Sequence, residues 1–183
     1  MHMATESGSW TLEEVHRLPD DGNKYELVRG ELFVTPPPAR HHETIAARLA
    51  RVLDPYVAEH GLGLVYRPRA VLRTADGEVE PDLMVRDDRG VGNGWEAAPI
   101  PILVVEIVSP TTRRRDMQQK RRFYLTSGVA EYWIVDPEAR RVVVSRPGGQ
   151  DEQCATVLRW HPTDASREFT LSVPELFANL GSS

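Results

Sequence analysis

The stretch Ile102-Leu103-Val104-Val105-Glu106-Ile107-Val108, running directly into Ser109-Pro110-Thr111-Thr112, decides the reading of the fold. A near-continuous run of β-branched residues is the pattern of a central strand covered on both faces. Covering both faces requires a layer on each side. Strand alternation places Ile102, Val104, Glu106 and Val108 on one face of this strand. After the Ser-Pro turn, residues 113–127 read as a long helix. Thr112 is its expected cap, and Gly128 stands where a left-handed stop belongs. A second apolar strand, Glu131 to Val135, follows. The turn Asp136-Pro137-Glu138-Ala139 then leads into a third strand, Arg141 to Ser145.

Working outward, Trp10 to Leu18 predicts a short helix with a capping box, Thr11 as cap and Glu14 at the third helical position. Tyr25 to Val28 and Glu31 to Val34, flanking Arg29-Gly30, predict a tight hairpin stopped by Pro36-Pro37-Pro38. Ile45, Leu49, Val52, Leu53 and Tyr56 recur at helical spacing and predict a long helix over 41–59, perturbed at Pro55 and ended at Gly61. Strands are expected at 63–66, 70–73 and 79–85, with an Asp-Gly turn at Asp76-Gly77, and a loop over 87–99. A hairpin is expected from 154–160 and 168–171, and a last short helix over 174–180. The order predicts one α/β (α+β) domain spanning residues 1–183, with an ordered core over about residues 10–177. In it, a central mixed sheet is flanked by two main helices, with an N-terminal hairpin and extra C-terminal strands.

Composition narrows the function. The 183 residues are 40% hydrophobic and 27% charged, as in ordinary globular proteins. No run reaches the roughly 20 apolar residues of a membrane span. Met1 to Glu6 lacks the basic and then apolar pattern of an export signal, so a cytoplasmic setting is expected. The single cysteine, Cys154, excludes a disulfide framework and a thiolate metal cluster, and it reads as a structural thiol. The net charge of −5 argues against coating nucleic acid through bulk positive charge. The distribution is uneven, however: residues 113–122 carry six of the 22 basic residues and a single acid. That run is either a solvated helix face or a phosphate-holding stripe.

Three residues resist a purely structural reading. Glu106 is a carboxylate in a buried strand, which costs several kcal/mol unless it is ion-paired or binds a metal. Asp82 follows Pro81 at a strand start, where it is either a turn residue or a second acid beside Glu106. Lys120 shares a helix face with Asp116 and Tyr124 through i, i+4, i+8 spacing; it forms a surface pair or points at the carboxylates. Two acids on adjacent strands with a lysine beside them suit Mg²⁺ or Mn²⁺, which bind through one or two carboxylates plus substrate phosphate oxygens. Such a site suits metal-assisted phosphodiester hydrolysis.

Glu80-Pro81-Asp82, followed after 23 residues by Glu106-Ile107, resembles the PD-(D/E)XK nuclease pattern. The lysine expected two residues after the second acid is absent, and that position is Val108. Three longer segments are similar to the Uma-type family of restriction-endonuclease-like bacterial domains: Tyr25 to Leu32, Val104 to Asp116, and Gly128 to Pro137. The resemblance covers Trp10 to Phe177. It implies a restriction-endonuclease-like core, Asp82 and Glu106 as metal ligands, and Lys120 on the following helix as the displaced lysine. Glu31 matches a family glutamate and is the candidate first acid, or else a solvent-facing hairpin residue. His42 matches a family histidine, which caps the first long helix or touches the site.

The expected function is a Mg²⁺- or Mn²⁺-dependent endonuclease. Asp82 and Glu106 hold the metal, Lys120 assists the attacking water or stabilises charge, and Arg113, Arg114 and Arg115 hold backbone phosphates. Nucleic acid is the expected partner, DNA in particular, with a homodimer supplying two sites for two strands. The competing reading is a catalytically silent nuclease-like module that binds nucleic acid or a partner protein. A serine hydrolase built on Ser109 is the weakest, because Gly-x-Ser-x-Gly is absent.

Overall fold

The computed structural model describes residues 8–87 and 89–180. Met1 to Glu6 therefore lies outside the described residues, as does Asp88 in the predicted 87–99 loop. The elements are α1 (Leu12–His16), β1 (Lys24–Val28), β2 (Glu31–Thr35), α2 (Arg40–Glu59), β3 (Leu64–Tyr66), β4 (Leu72–Thr74), β5 (Gly77–Val79) and β6 (Leu83–Arg86). They continue with a 3₁₀ turn (Trp95–Ala97), β7 (Leu103–Ile107), α3 (Arg113–Arg115), a π-helical turn (Asp116–Lys120) and α4 (Arg121–Thr126). The C-terminal elements are β8 (Glu131–Asp136), β9 (Arg141–Ser145), β10 (Glu152–Cys154), β11 (Val157–Trp160), β12 (Phe169–Ser172) and α5 (Val173–Leu176).

The main sheet has six strands in the order β10-β9-β8-β7-β6-β3. Only β7 and β8 run parallel, so the sheet is mixed. Strand β7 lies inside it and is buried at all five positions. Its side chains alternate as the sequence demands. Leu103, Val105 and Ile107 join the core under α2, with Ile45, Leu49, Leu53, Trp133 and Trp160. Val104, with Val108 just beyond the strand, joins a second core with Phe123 and Tyr124 of α4 and with Phe33, Leu72 and Val79 of a second sheet. Glu106 thus emerges between α4 and that second sheet. Fully burying each such aliphatic side chain contributes about 1.5–3 kcal/mol.

The second sheet was not foreseen. The predicted N-terminal hairpin is half of a four-stranded antiparallel sheet in the order β2-β1-β5-β4. Its tight turn has positive φ at Arg29 (52°) and Gly30 (81°), the twist a two-residue hairpin needs. Gly77 is required where β5 meets β1: its φ is 152°, and a Cβ there would lie 2.0 Å from the Leu27 carbonyl oxygen.

Several boundaries are corrected. The expected strand over 79–85 is two strands in different sheets, parted at Glu80-Pro81-Asp82, where proline cannot donate to a ladder. Cys154 pairs with Val142 at the edge of the main sheet, and the C-terminal hairpin is β11–β12 instead. Thr112 does not cap a helix: its Oγ1 accepts from Ser109 N–H at 3.0 Å, while its own N–H donates to Ser109 Oγ at 3.3 Å. The second helix is interrupted by the π turn. The terminal helix ends at Leu176. The capping box of Thr11 and Glu14 is present as predicted, and α2 runs unbroken through Pro55.

Candidate active site

The chain contains two lysines and twenty arginines, and both lysines lie in one cluster of buried charge. Lys120 closes the π turn. The extra residue in that turn sends the Arg121 N–H back to the Asp116 carbonyl, which also accepts from Tyr132 OH at 3.2 Å. The Lys120 ammonium then reaches Glu106 Oε1 at 2.7 Å and Glu26 Oε1 at 2.8 Å, and it is 0% exposed. Tyr124 donates to the same Glu106 Oε1 at 2.6 Å. The predicted approach of Lys120 to Glu106 is therefore present, and the Asp116–Lys120 surface pair is not.

Asp82 stands at the junction of the two sheets. Its Oδ2 accepts from Ile107 N–H at 2.8 Å and meets His42 Nε2 at 3.0 Å. Its Oδ1 faces the Lys24 ammonium at 3.4 Å. Lys24 also donates to the Glu80 carbonyl at 2.9 Å. Lys24 and Glu26 are two residues apart on β1, so both project from one face of that strand. The Glu80 N–H donates to Glu26 Oε1 at 3.0 Å, which ties the strand break to β1.

The electrostatics follow from burial and proximity. Burial alone would lower the Lys24 pKa, but Glu26, Asp82, Glu106 and Glu80 reverse this and hold it above the ordinary lysine range. Lys120 is likewise held up against burial by Glu106 and Glu26. Burial works to raise Asp82, yet Lys24, His42 and the Ile107 N–H keep its carboxyl well below the usual range. Glu26 is also lowered, because Lys120 and Lys24 outweigh its burial. Glu106 goes the other way. Burial pushes it up to about 7, Lys120 and Lys24 offset only part of that, and Asp82 and Glu26 add to it. His42 is raised by its bond and charge contact with Asp82, against its burial.

A groove of about 710 Å³ opens over this cluster. Lys24, His42, Glu80, Asp82 and Glu106 line it, whereas Lys120 and Glu26 lie behind Glu106 and do not. Arg67, Arg69 and Arg115 line it further out. The metal question turns on open valences. Among the described residues, no group of three or more His, Cys, Asp or Glu side chains is arranged to hold a metal ion. Two carboxylates do face the groove together. Glu106 spends Oε1 on Lys120 and Tyr124, and its Oε2 accepts no hydrogen bond among the described residues; Asp82 Oδ1 meets Lys24 alone. That donor set fits a hard divalent cation that completes its shell with water and phosphate oxygens.

The remaining predicted residues fall elsewhere. Glu31 stands at the start of β2, where its Oε2 accepts from Gln119 Nε2 at 2.7 Å; Glu26, five residues earlier, is the acid brought to Lys120. Arg113 is engaged by Asp136 and by Glu138 (2.7 Å). Arg115 bonds Thr35 Oγ1 at 2.8 Å and lies over the Phe33 ring. Of the three arginines, Arg114 is the exposed one. The Ser109 hydroxyl is held by Thr111 at 2.9 Å and Thr112 at 3.2 Å rather than by a histidine. Sequence reasoning missed Lys24 and Glu26. The scarcity of lysine was the available signal.

The sequence model of Uma2, described as "Putative restriction endonuclease", matches residues 12–180. The chain belongs to the Uma2 family. No curated protein matches it. Among solved structures it resembles a putative nuclease belonging to DUF820 from Anabaena variabilis, with a TM-score of 0.78 and 23% sequence identity. That match covers 93% of this chain and 99% of the other. At this identity the likeness speaks for the fold, and it agrees with the mixed sheet and restriction-endonuclease-like core expected from the sequence. No helix among the described residues is long and apolar enough to cross a membrane.

Proposed function

We propose that this Uma2-family chain is a divalent-cation-dependent endonuclease that hydrolyses phosphodiester bonds, with DNA as the substrate expected from the family description. The observation that carries this reading is the pair of groove-facing carboxylates, Asp82 and Glu106, with Glu106 Oε2 accepting no hydrogen bond among the described residues and Asp82 Oδ1 held only by Lys24 at 3.4 Å, backed by a fully buried lysine. A structural ion pair has no need to present open carboxylate oxygens to a groove.

Asp82 and Glu106 would hold the cation. A cation held there would supply Lewis acidity, easing loss of a proton from the attacking water and offsetting charge on the phosphate. The chain's own residues prepare the ground. His42 and the Ile107 N–H fix Asp82, and together with the Lys24 charge, the largest of these influences, they keep it ionised. Lys120 and Tyr124 fix Glu106 through one oxygen and leave the other directed to its ligand. Lys120 is thus a positioning residue rather than one that touches substrate. Water adds to phosphorus and gives up a proton to solvent, the bond to the leaving oxygen breaks, and that oxygen takes up a proton from solvent. Arg67, Arg69 and Arg115 along the groove are placed to hold flanking phosphates, with exposed Arg114 nearby in sequence. Cutting both strands of a duplex calls for two sites, which a homodimer supplies.

The test is a cleavage assay on single- and double-stranded DNA and RNA with Mg²⁺, Mn²⁺ or chelator, run beside Asp82→Ala and Lys120→Ala. The expected outcome is cation-dependent cleavage lost in Asp82→Ala and strongly reduced in Lys120→Ala. Cleavage that survives both substitutions rules out this site. Binding of nucleic acid without cleavage would identify a silent module instead.

A further inference from the structure

We propose that Lys24 is the resident cation of the site and that a divalent metal enters by displacing its ammonium from Asp82. This inference rests on the metal-site reading above and goes a step beyond it, by saying what the metal must replace. The Lys24 ammonium is the one hydrogen-bond partner of Asp82 Oδ1 among the described residues, at 3.4 Å, and is anchored on the Glu80 carbonyl at 2.9 Å. It lines the groove, and its side chain remains 17% exposed, so it has a way out; Lys120, at 0%, has none. A dication and an ammonium within about 4 Å of each other repel strongly at the dielectric of a partly buried site. The two therefore compete for Asp82 Oδ1.

The choice of residue supports this role. Twenty of the 22 basic residues are arginine, and lysine is used twice, both times against these carboxylates. An ammonium is a compact point charge on a flexible stem, whereas a guanidinium is a planar fork fixed by two parallel bonds. Lys120 uses the compact charge to bridge Glu26 and Glu106 in a sealed space. Lys24 uses the flexible stem, with one long contact to Asp82 that is easily given up. Without a metal, the Lys24 charge keeps two groove-facing carboxylates from repelling each other.

The experiment measures metal binding without substrate. Mn²⁺ affinity is read by calorimetry for the native protein, Lys24→Met and Asp82→Asn, each checked for native secondary structure and a cooperative melt. Lys24→Met is expected to bind Mn²⁺ about tenfold more tightly or better, worth about 1.4 kcal/mol, and Asp82→Asn is expected to lose the site. A second measurement needs no variant. Because the chain has only two lysines, mass spectrometry after brief acetylation reads each one separately. Saturating Mn²⁺ is expected to raise acetylation of Lys24 and leave Lys120 protected. Unchanged or weaker Mn²⁺ binding in Lys24→Met overturns the displacement, as does unchanged or reduced Lys24 labelling with Mn²⁺. If Asp82→Asn binds Mn²⁺ as the native protein does, the metal-site reading falls first and the displacement falls with it.

Discussion

Replacing Lys120 by methionine is the sharpest test of the buried cluster. Lys120 sits 2.7 Å from Glu106 Oε1 and 2.8 Å from Glu26 Oε1, with side-chain exposures of 0%, 4% and 0% for the three groups. At an effective dielectric of about 20, each contact is worth about 6 kcal/mol of attraction before desolvation is charged against it. Removing the lysine alone forfeits both contacts and leaves two buried carboxylates near each other. Losing one partner of a buried pair costs about 3–5 kcal/mol in practice. Glu106 can limit the loss by taking up a proton, since it already sits at about 7. A net cost of about 3–5 kcal/mol corresponds to a fall in Tm of about 6–20 °C for a chain of this size. Adding Glu106→Gln to Lys120→Met removes one of the stranded charges while keeping a partner for Tyr124, so the double variant recovers part of the loss. Urea denaturation of the native, single and double variants measures both effects. A cost below about 1 kcal/mol for Lys120→Met, the value of an exposed pair, would refute the sealed bridge.

Other consequences are equally open to measurement. Glu106 is raised from 4.5 to about 7 and His42 is raised from 6.5. Each group holds its proton more tightly folded than unfolded, so its stabilisation is complete below the unfolded value and is lost as pH rises through the folded one. Stability of the metal-free protein, read from urea midpoints, should therefore fall between about pH 5 and 7, by about 3 kcal/mol from Glu106, and Glu106→Gln should flatten most of that slope. A curve that rises across this range contradicts the assignment. Tyr124→Phe keeps the ring contact with Tyr132 but removes the donor to Glu106. It should cost about 1.5–3 kcal/mol in the same denaturation. Arg113→Ala strands Asp136, which is 2% exposed. It should lower Tm while leaving nucleic-acid affinity near native, whereas Arg114→Ala should leave Tm unchanged and reduce the salt slope of binding by about one.

Much of this was legible because local signals agreed with the global fold. Alternation over 103–108 reported both cores correctly, since each residue of β7 meets a full layer on its own side, whereas Ile102, expected on the Val104 face, precedes the strand and packs against the core under α2 instead. The Thr11–Glu14 box and the Arg29-Gly30 turn are set by contacts within a few residues, where sequence speaks plainly. The misses are nonlocal. Lys24-Tyr25-Glu26-Leu27 alternates polar and apolar, which reads as a half-exposed strand with its charges in water. Lys24 and Glu26 are instead turned into the site because the second sheet packs its charged face toward β7 and the π turn. The π turn itself is invisible in the residues, because i, i+4, i+8 spacing serves an α-helix equally well. Glu31 lies in the same hairpin as Glu26, but the register that pairs Val28 with Glu31 puts it at the turn, next to Gln119.

Asp82 and Glu106 are proposed to form a hydrolytic site that works on nucleic-acid phosphodiesters through a divalent cation. The most direct measurement is single-turnover cleavage of an end-labelled DNA and RNA panel by the native protein and by Glu106→Gln, across a Mg²⁺ titration that starts from chelator. The expected result is cleavage products from the native protein that appear with Mg²⁺ and vanish with chelator, and none from a folded Glu106→Gln. Equal product from both proteins, or cleavage that persists in chelator, would contradict it.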